Sequence, residues 1–401
     1  MKLRIVWRNL LAKPLQNSII TGIVALAIAL TVTLLLVAEG LHQGFVRATE
    51  PFDLIVGAKG SPVQLVLNTV FLQDNPIGNI PEEILEELKR QPGVAAAIPL
   101  GFGDNYRGYR IVGTTGDIFA QPGIAKAPRW FQLEVGKFFS APYEAVIGTK
   151  VAQELGLKVG DRFTSIHGLS LREQGEQHRE HPYQVVGILK AVEGPYDQAI
   201  LVPLKSIWEI HQFSKVLFKE QHQHEHGVTA ILVRPKGYVD AMRLYQQFQG
   251  EQRAQLIFPA QIIIGFFALM GQGEQVLQMI TYIVIAITLL TVALTLYGSS
   301  LNRSRDQAIL RAIGANAGDL FQVIVMEGVL LVGLGVIVGL AAGHGLFLTF
   351  AGILQQKTAI TVSIGWSWHE LPVGLGTLLL GILACVVPAL LAYRFDVSKN
   401  L

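Results

Sequence analysis

Cysteine is nearly missing from this chain. Cys385 is the one thiol in 401 residues, so no disulfide can close within a monomer and cysteine usage is silent about redox compartment. Charge is also scarce: Asp, Glu, Lys and Arg make up 15% of the chain, whereas soluble domains carry about a quarter. The net charge of +2 comes without any long basic run, which leaves no electrostatic footprint for nucleic acid. Enzyme motifs are absent too. Gly136-Lys137 is followed by Phe138 and lacks the upstream glycine of a phosphate loop, so ATP hydrolysis is not expected in this chain. Gly101-Phe102-Gly103 meets Tyr106 where a dinucleotide fingerprint needs its third glycine. Neither a His-Glu-x-x-His nor a Gly-x-Ser-x-Gly pattern occurs.

What is present is apolar sequence, 51% of the chain. Four runs are long enough to cross a bilayer, which takes about 20 residues: Ile19–Ala38, Ile280–Leu301, Val323–Phe350 and Leu371–Leu391. The first exceeds the usual signal-peptide core of about 7–15 residues and reads as a retained span, although Ala38-Glu39-Gly40 offers a loose cleavage site. Pro388 is expected to kink or end the last span. Before the first, Leu3, Val6, Trp7, Leu10 and Leu11 recur at helical spacing among Lys2, Arg4, Arg8 and Lys13, a basic amphipathic helix suited to a membrane surface. Bases cluster before the first span (Lys2, Arg4, Arg8, Lys13), between the second and third (Arg303, Arg305, Arg311) and after the fourth (Arg394, Lys399). The positive-inside rule then puts the termini and the Arg303 tract in the cytoplasm and the long insert outside.

The fold class expected is an α-helical membrane protein with four transmembrane helices and a large α+β extracytoplasmic domain inserted between helices 1 and 2. The segments are an N-terminal helix over 1–16, spans over 17–40, 276–301, 323–350 and 371–393, the external domain over 41–275, a coupling segment over 302–322, a short external loop over 351–370 and a tail over 394–401. Within the insert, strands are expected at Asp53–Val56, Val94–Pro99, Tyr109–Gly113, Ala145–Gly148, Tyr183–Leu189, Gln198–Val202 and Val228–Val233. Helices are expected at Pro81–Gln91, Lys150–Leu155 and Val239–Gln249. Pro122 and Pro128 suggest two subdomains divided near Phe119–Phe131.

Three constellations stand out. Gly335, Gly339 and Gly343, at steps of four, form one small-residue face on which another helix can pack closely. Glu327 sits near the cytoplasmic start of that span, and His344 near its external end reads as a satisfied polar residue. His222, His224 and His226 alternate, so an extended strand would point all three imidazoles one way. Zinc is the candidate metal for such a site, set against the plainer reading of a solvated loop. His178, His181 and His211 lie elsewhere in the insert. The tract Asn302–Ala315 continues directly from the second span, with Ile309, Leu310 and Ile313 giving it an apolar side among its arginines.

Arg305-Asp306-Gln307-Ala308-Ile309-Leu310-Arg311-Ala312-Ile313-Gly314-Ala315 resembles the basic-acidic-x-x-apolar-Leu-Arg-Ala-Leu-Gly-Ala tract of the FtsX/MacB-like permeases, or type VII ABC transporters. Trp7-Arg8-Asn9-Leu10, the Gly333–Gly343 span after Glu327, and Pro388-Ala389-Leu390-Leu391-Ala392-Tyr393-Arg394 are similar to other segments of that family, as are Glu144–Gly148, Val159-Gly160-Asp161 and Val186–Leu189 to its periplasmic core. The stretches 167–181 and 211–226 depart from it. The resemblance implies a homodimeric permease in a bacterial inner (plasma) membrane, served by two copies of a separate ABC ATPase that holds the ATP and Mg. No cofactor is then expected in this chain. A periplasmic protein is a further candidate partner beside the lipid bilayer. The residues expected to meet the ATPase are Arg303, Arg305, Asp306, Leu310, Arg311 and Ile313, with Gly314 closing their helix. Two rivals are a membrane-anchored metal-binding or sensory module using His222, His224 and His226, and a membrane enzyme whose residues converge from distant positions.

The distribution of bases makes a topology prediction. Reporters inserted at Gln174 and Gln223 should be external and one at Gln307 cytoplasmic; an external signal at Gln307 would invert the scheme.

Overall fold

The computed structural model describes residues 2–122, 129–168, 180–210, 227–302, 314–358, 368 and 370–393. They form two compact units. One is built from residues 1–41, 270–353 and 362–401, the other from 42–269 and 354–361.

The membrane unit draws on α1 (Lys2–Ala12), α2 (Pro14–Thr49), α7 (Pro259–Asn302), α8 (Ala317–Thr358) and α9 (Glu370–Tyr393). Four of these helices contain stretches long and apolar enough to cross a membrane: Pro14–Thr49, Met279–Gly298, Gly318–Gln355 and Glu370–Val387. Three helices outrun the expected spans, because a backbone already hydrogen-bonded within a helix needs no break at the edge of the apolar run. The fourth runs through Pro388 to Tyr393, where the expected span ends. Proline is tolerated inside membrane helices, where neighbouring groups can re-satisfy the freed carbonyl. Ile20, Val24, Ile28, Val32 and Leu36 step along α2 every four residues and form the inner seam, packed with Val292, Leu296, Val332, Val336 and Cys385. Leu26 and Leu30 on α2, Ile287 and Leu294 on α7, and Leu379 and Leu383 on α9 stay exposed, as lipid-facing side chains do.

The outer unit holds eleven strands: β1 (Leu54–Gly57), β2 (Val94–Tyr106), β3 (Tyr109–Thr114), β4 (Leu133–Gly136), β5 (Glu144–Ile147), β6 (Arg162–Phe163), β7 (Ile166–His167), β8 (Tyr183–Leu189), β9 (Ile200–Pro203), β10 (Ala230–Pro235) and β11 (Gln255–Ile257). Their order is β11-β1-β10-β2-β3-β9-β5-β8-β4, with β6 on β8 and β7 on β2. β2 is the hub. Its first half pairs antiparallel with β10, from Val94 opposite Pro235 to Leu100 opposite Ala230. Its second half pairs with β3 from Gly101 onward, with a bulge between Phe102 and Asp104, and with β7 at Asp104 and Asn105. The bulge resets the alternation of side chains along the strand. Gly101 and Gly113 face each other across β2 and β3, and a Cβ on Gly101 would come within 2.7 Å of Leu204. The missing side chains let the helical segment 204–210 settle against the sheet.

Short helices follow their local chemistry. α4 (Glu82–Arg90) starts with Glu82 and Glu83, ends in Lys89 and Arg90, and buries Ile84, Leu85 and Leu88. α5 (Thr149–Leu155) stops at Gly156, whose φ of 68° is left-handed. α6 (Tyr238–Gln249) covers the β1–β10 side together with α4. α3 (Pro62–Thr69) is capped by the Ser61 side chain and opens with proline, and it is not among the helices expected from the sequence.

The expected division near Phe119–Phe131 does not exist. Phe119, Trp130 and Phe131 belong to one core with Ile55, Ile98 and Tyr196. Phe119 stacks on Phe138 at 4.1 Å and Trp130 on Phe131 at 4.2 Å. Burial of these rings outweighs the punctuation that proline implies, since each aromatic side chain removes a large apolar area from water.

Candidate functional site

The expected ATPase-contact residues Arg303, Arg305, Asp306, Leu310, Arg311 and Ile313 lie outside the described residues. The structure does place their two ends. α7 runs to Asn302. On the other side Gly314 adopts φ 108°, a left-handed conformation open to glycine and strained for other residues. α8 then opens in a reciprocal cap, with the Asn316 N–H donating to Asp319 Oδ2 at 3.1 Å and the Asp319 N–H to the Asn316 carbonyl at 2.9 Å. Asp319 also meets Lys2 of α1, whose Nζ lies 2.7 Å from Asp319 Oδ1 and also bonds the Gln322 side chain. The start of α8 is thereby tied to the first residues of the chain.

The glycine face of α8 meets α2. A Cβ on Gly335 would lie 2.7 Å from Val24 Cβ. One on Gly339 would lie 2.7 Å from both the Ala25 carbonyl and Ile28 Cβ, and one on Gly343 would lie 3.0 Å from Val32 Cβ. Two stripes with the same four-residue period therefore interlock over two turns, and Thr33 Oγ1 adds a hydrogen bond to the Gly343 carbonyl at 3.1 Å. Close packing of this kind holds membrane helices together where water supplies no hydrophobic drive. Gly328 plays a similar part against α9, where any added Cβ would collide with the Cys385 sulfur.

Among the described residues of this unit, two carboxyl side chains are buried. Glu327 is buried near the start of α8. Further along the helix His344 Nε2 lies 2.9 Å from Glu370 Oε2, and that carboxylate is wholly enclosed. His344 is thus the satisfied residue the sequence suggested, while Glu370, its partner from the first turn of α9, carried no signal of its own.

In the outer unit, His222, His224 and His226, with His178 and His211, lie outside the described residues. His181 stacks on Tyr143 at 5.2 Å. Tyr143 donates to Glu209 at 2.8 Å, and burial, aided by that bond, raises its pKa to about 12. Asp104, fully buried after the β2 bulge, lies 3.6 Å from His167 of β7, its partner in register. Among the described residues no three potential metal ligands come together. Glu144, at the start of β5, accepts from Lys137 at 2.7 Å and from the Ser140 and Ala141 N–H groups at 2.7 and 3.0 Å. Burial pushes its pKa up, but these bonds outweigh it and bring the value to about 2. A narrow cleft is lined by Gly44, Arg47, Phe52, Trp130, Glu193 and Tyr196, with Arg47 and Glu193 paired at 3.8 Å on its rim. Nothing in these groups forms a nucleophile–base pair; among the described residues, the geometry is that of packing and tethering.

Comparison with known proteins gives two family matches. Residues 18–250 match the MacB-like periplasmic core domain, and residues 279–399 match the FtsX-like permease C-terminal domain. The chain is also similar to the periplasmic region of MacB from Actinobacillus actinomycetemcomitans, at 10% identity over 54% of this chain and 95% of that one, with a TM-score of 0.35. It is similar as well to the extracellular domain of the noncanonic ABC-type transporter YknZ from Gram-positive bacteria, at 14% identity over 51% and 98%, with a TM-score of 0.29. At these scores neither structure adds to what the family models establish.

The interlocked stripes predict a position-specific effect. Gly339→Leu should force α2 and α8 apart and cost about 1–3 kcal/mol, read as a lower melting temperature in detergent. Gly345→Leu, where the space is open, should melt like the native protein. Equal melting of the two variants would mean that the glycine contact does not hold the unit together.

Proposed function

Because the chain belongs to the FtsX/MacB-like ABC transporter permeases, we propose that it acts as a mechanical transmitter, carrying ATP-driven motion from a separate ATPase to its extracytoplasmic domain. As a permease subunit it is a multi-pass membrane protein, and the finer reading concerns how it works. The observation that carries this reading is helix length. α7 is one helix of 44 residues from Pro259, just after β11, to Asn302, where the basic tract begins. At 1.5 Å per residue it is about 66 Å long, roughly twice the hydrocarbon thickness of a bilayer. An uninterrupted helix passes a displacement at one end to the other, because its own hydrogen bonds resist bending.

In this reading the Arg303–Ile313 tract seats in a groove of the ATPase. Leu310 and Ile313 fill apolar space, and Arg303, Arg305 and Arg311 meet acidic groups around it. Two permease copies and two ATPases make the working assembly, with the permease termini cytoplasmic and the insert on the far side of a bacterial plasma membrane. Work is done on the external side, for export, extraction or signalling, rather than by a polar path through the helices. The rival reading, external metal capture through His222, His224 and His226, rests on their alternation alone. A zinc-induced rise in the melting temperature of the full chain that disappears on replacing all three by Ala would bring it forward, since a ligand bound only by the folded form stabilises it by mass action. An unchanged rise in the triple variant would remove it.

The coupling reading is tested at Leu310. Leu310→Asp puts an unpaired charge into the apolar contact, at a cost of several kcal/mol. The variant should insert normally yet fail to recover the ATPase in a pull-down from the same membranes. Normal recovery together with normal ATP turnover would end the coupling hypothesis.

A further inference from the structure

The first helix carries a surface that the transmitter reading does not use. Successive helical residues turn by about 100°, so Leu3, Trp7 and Leu11 form one stripe along α1. That stripe is bare: the three side chains are 64%, 63% and 63% exposed. On one side it is bordered by Val6, fully buried, and Leu10, which packs against the membrane core. On the other it is bordered by Arg4 and Arg8, exposed and with no ion pair or hydrogen bond among the described residues. Lys2 differs, since it is already engaged with Asp319.

We propose that α1 is a binding surface for anionic phospholipid, with the Leu3–Trp7–Leu11 stripe in the acyl boundary and Arg4 and Arg8 on lipid phosphates. Protein on one side and bases on the other leave the stripe facing an apolar medium that has a polar edge, which is the boundary of a bilayer. The two guanidinium groups, one helical turn apart, repel each other, and an anionic lipid relieves that repulsion where a zwitterionic one relieves it less. Through Lys2 the bound helix is joined to the first turn of α8, so lipid charge has a direct path to the segment that follows the basic tract. The inference rests on the chain's place in a membrane and does not require the coupling reading.

The test uses the full chain in nanodiscs. Trp7 fluorescence, isolated by subtracting the signal of Trp7→Phe, is quenched by brominated phosphatidylglycerol or by brominated phosphatidylcholine at the same mole fraction in otherwise identical bilayers. The expected result is clearly stronger quenching by the anionic lipid. That preference should vanish in Arg4→Gln/Arg8→Gln and survive in Arg4→Lys/Arg8→Lys, with quenching by phosphatidylcholine retained throughout. Equal quenching in the native chain, or a preference that persists in the glutamine variant, overturns the proposal. Quenching by neither lipid also overturns it, because the stripe would then be covered by protein. No ATPase enters the measurement, so its failure is separate from failure of the coupling reading.

Discussion

Close approach of α2 and α8 is the contact on which the membrane unit depends. Lipid tails are as apolar as leucine, so two helices in a bilayer gain little by hiding apolar surface from each other. They gain by dispersion, which falls steeply with distance and rewards backbones that nearly touch. Gly335, Gly339 and Gly343 remove every side chain from one face of α8, and Val24, Ile28 and Val32 of α2 occupy the space left. Because both stripes repeat every four residues, a shift of one residue would set side chain against side chain. The seam therefore specifies register as well as proximity, and the buried Thr33 hydroxyl on the Gly343 carbonyl marks that same register.

The outer unit solves a different problem, that of joining many short strands around one long one. β2 spends its first half on β10 and, from Gly101, its second on β3 and β7, with a bulge at Phe102–Asp104 inside the second half. Small residues make this affordable in space: Ala95, Ala96, Ala97, Gly101 and Gly103 keep β2 thin where helices and strands crowd it. The cost is a buried carboxylate, since the reset alternation turns Asp104 inward, where His167 lies beside it.

These two constructions belong to a multi-pass permease with a large inserted domain. A dispersion-held seam is stiff to separation, and one long strand ties the outer sheet together. Polar contacts tie helix to helix: Lys2–Asp319 joins α1 to the start of α8, and His344, in the second half of α8, meets Glu370 in the first turn of α9. The exposed Lys2–Asp319 pair costs less desolvation than charges at the middle of a span.

How much of this could be read from the chain divides along one line. Run length, period and end chemistry are local properties, and they were legible. The four spans, the glycine spacing, the acid-to-base order of α4 and most strands of the insert lie where the sequence put them. The family tract from Arg305 to Ala315 was equally plain as a string of residues, and Arg305–Ile313 lie outside the described residues. Proline misled near Phe119–Phe131, because its local preference was outweighed by ring burial. What only the tertiary structure decided was partnership. α2 receives the glycine stripe of a helix some three hundred residues later, Glu370 completes His344, and β2 turns a lone Asp104 toward His167. Period tells which face a residue occupies, but the choice of what lies opposite is made by packing between segments distant in sequence, and no local pattern encodes it.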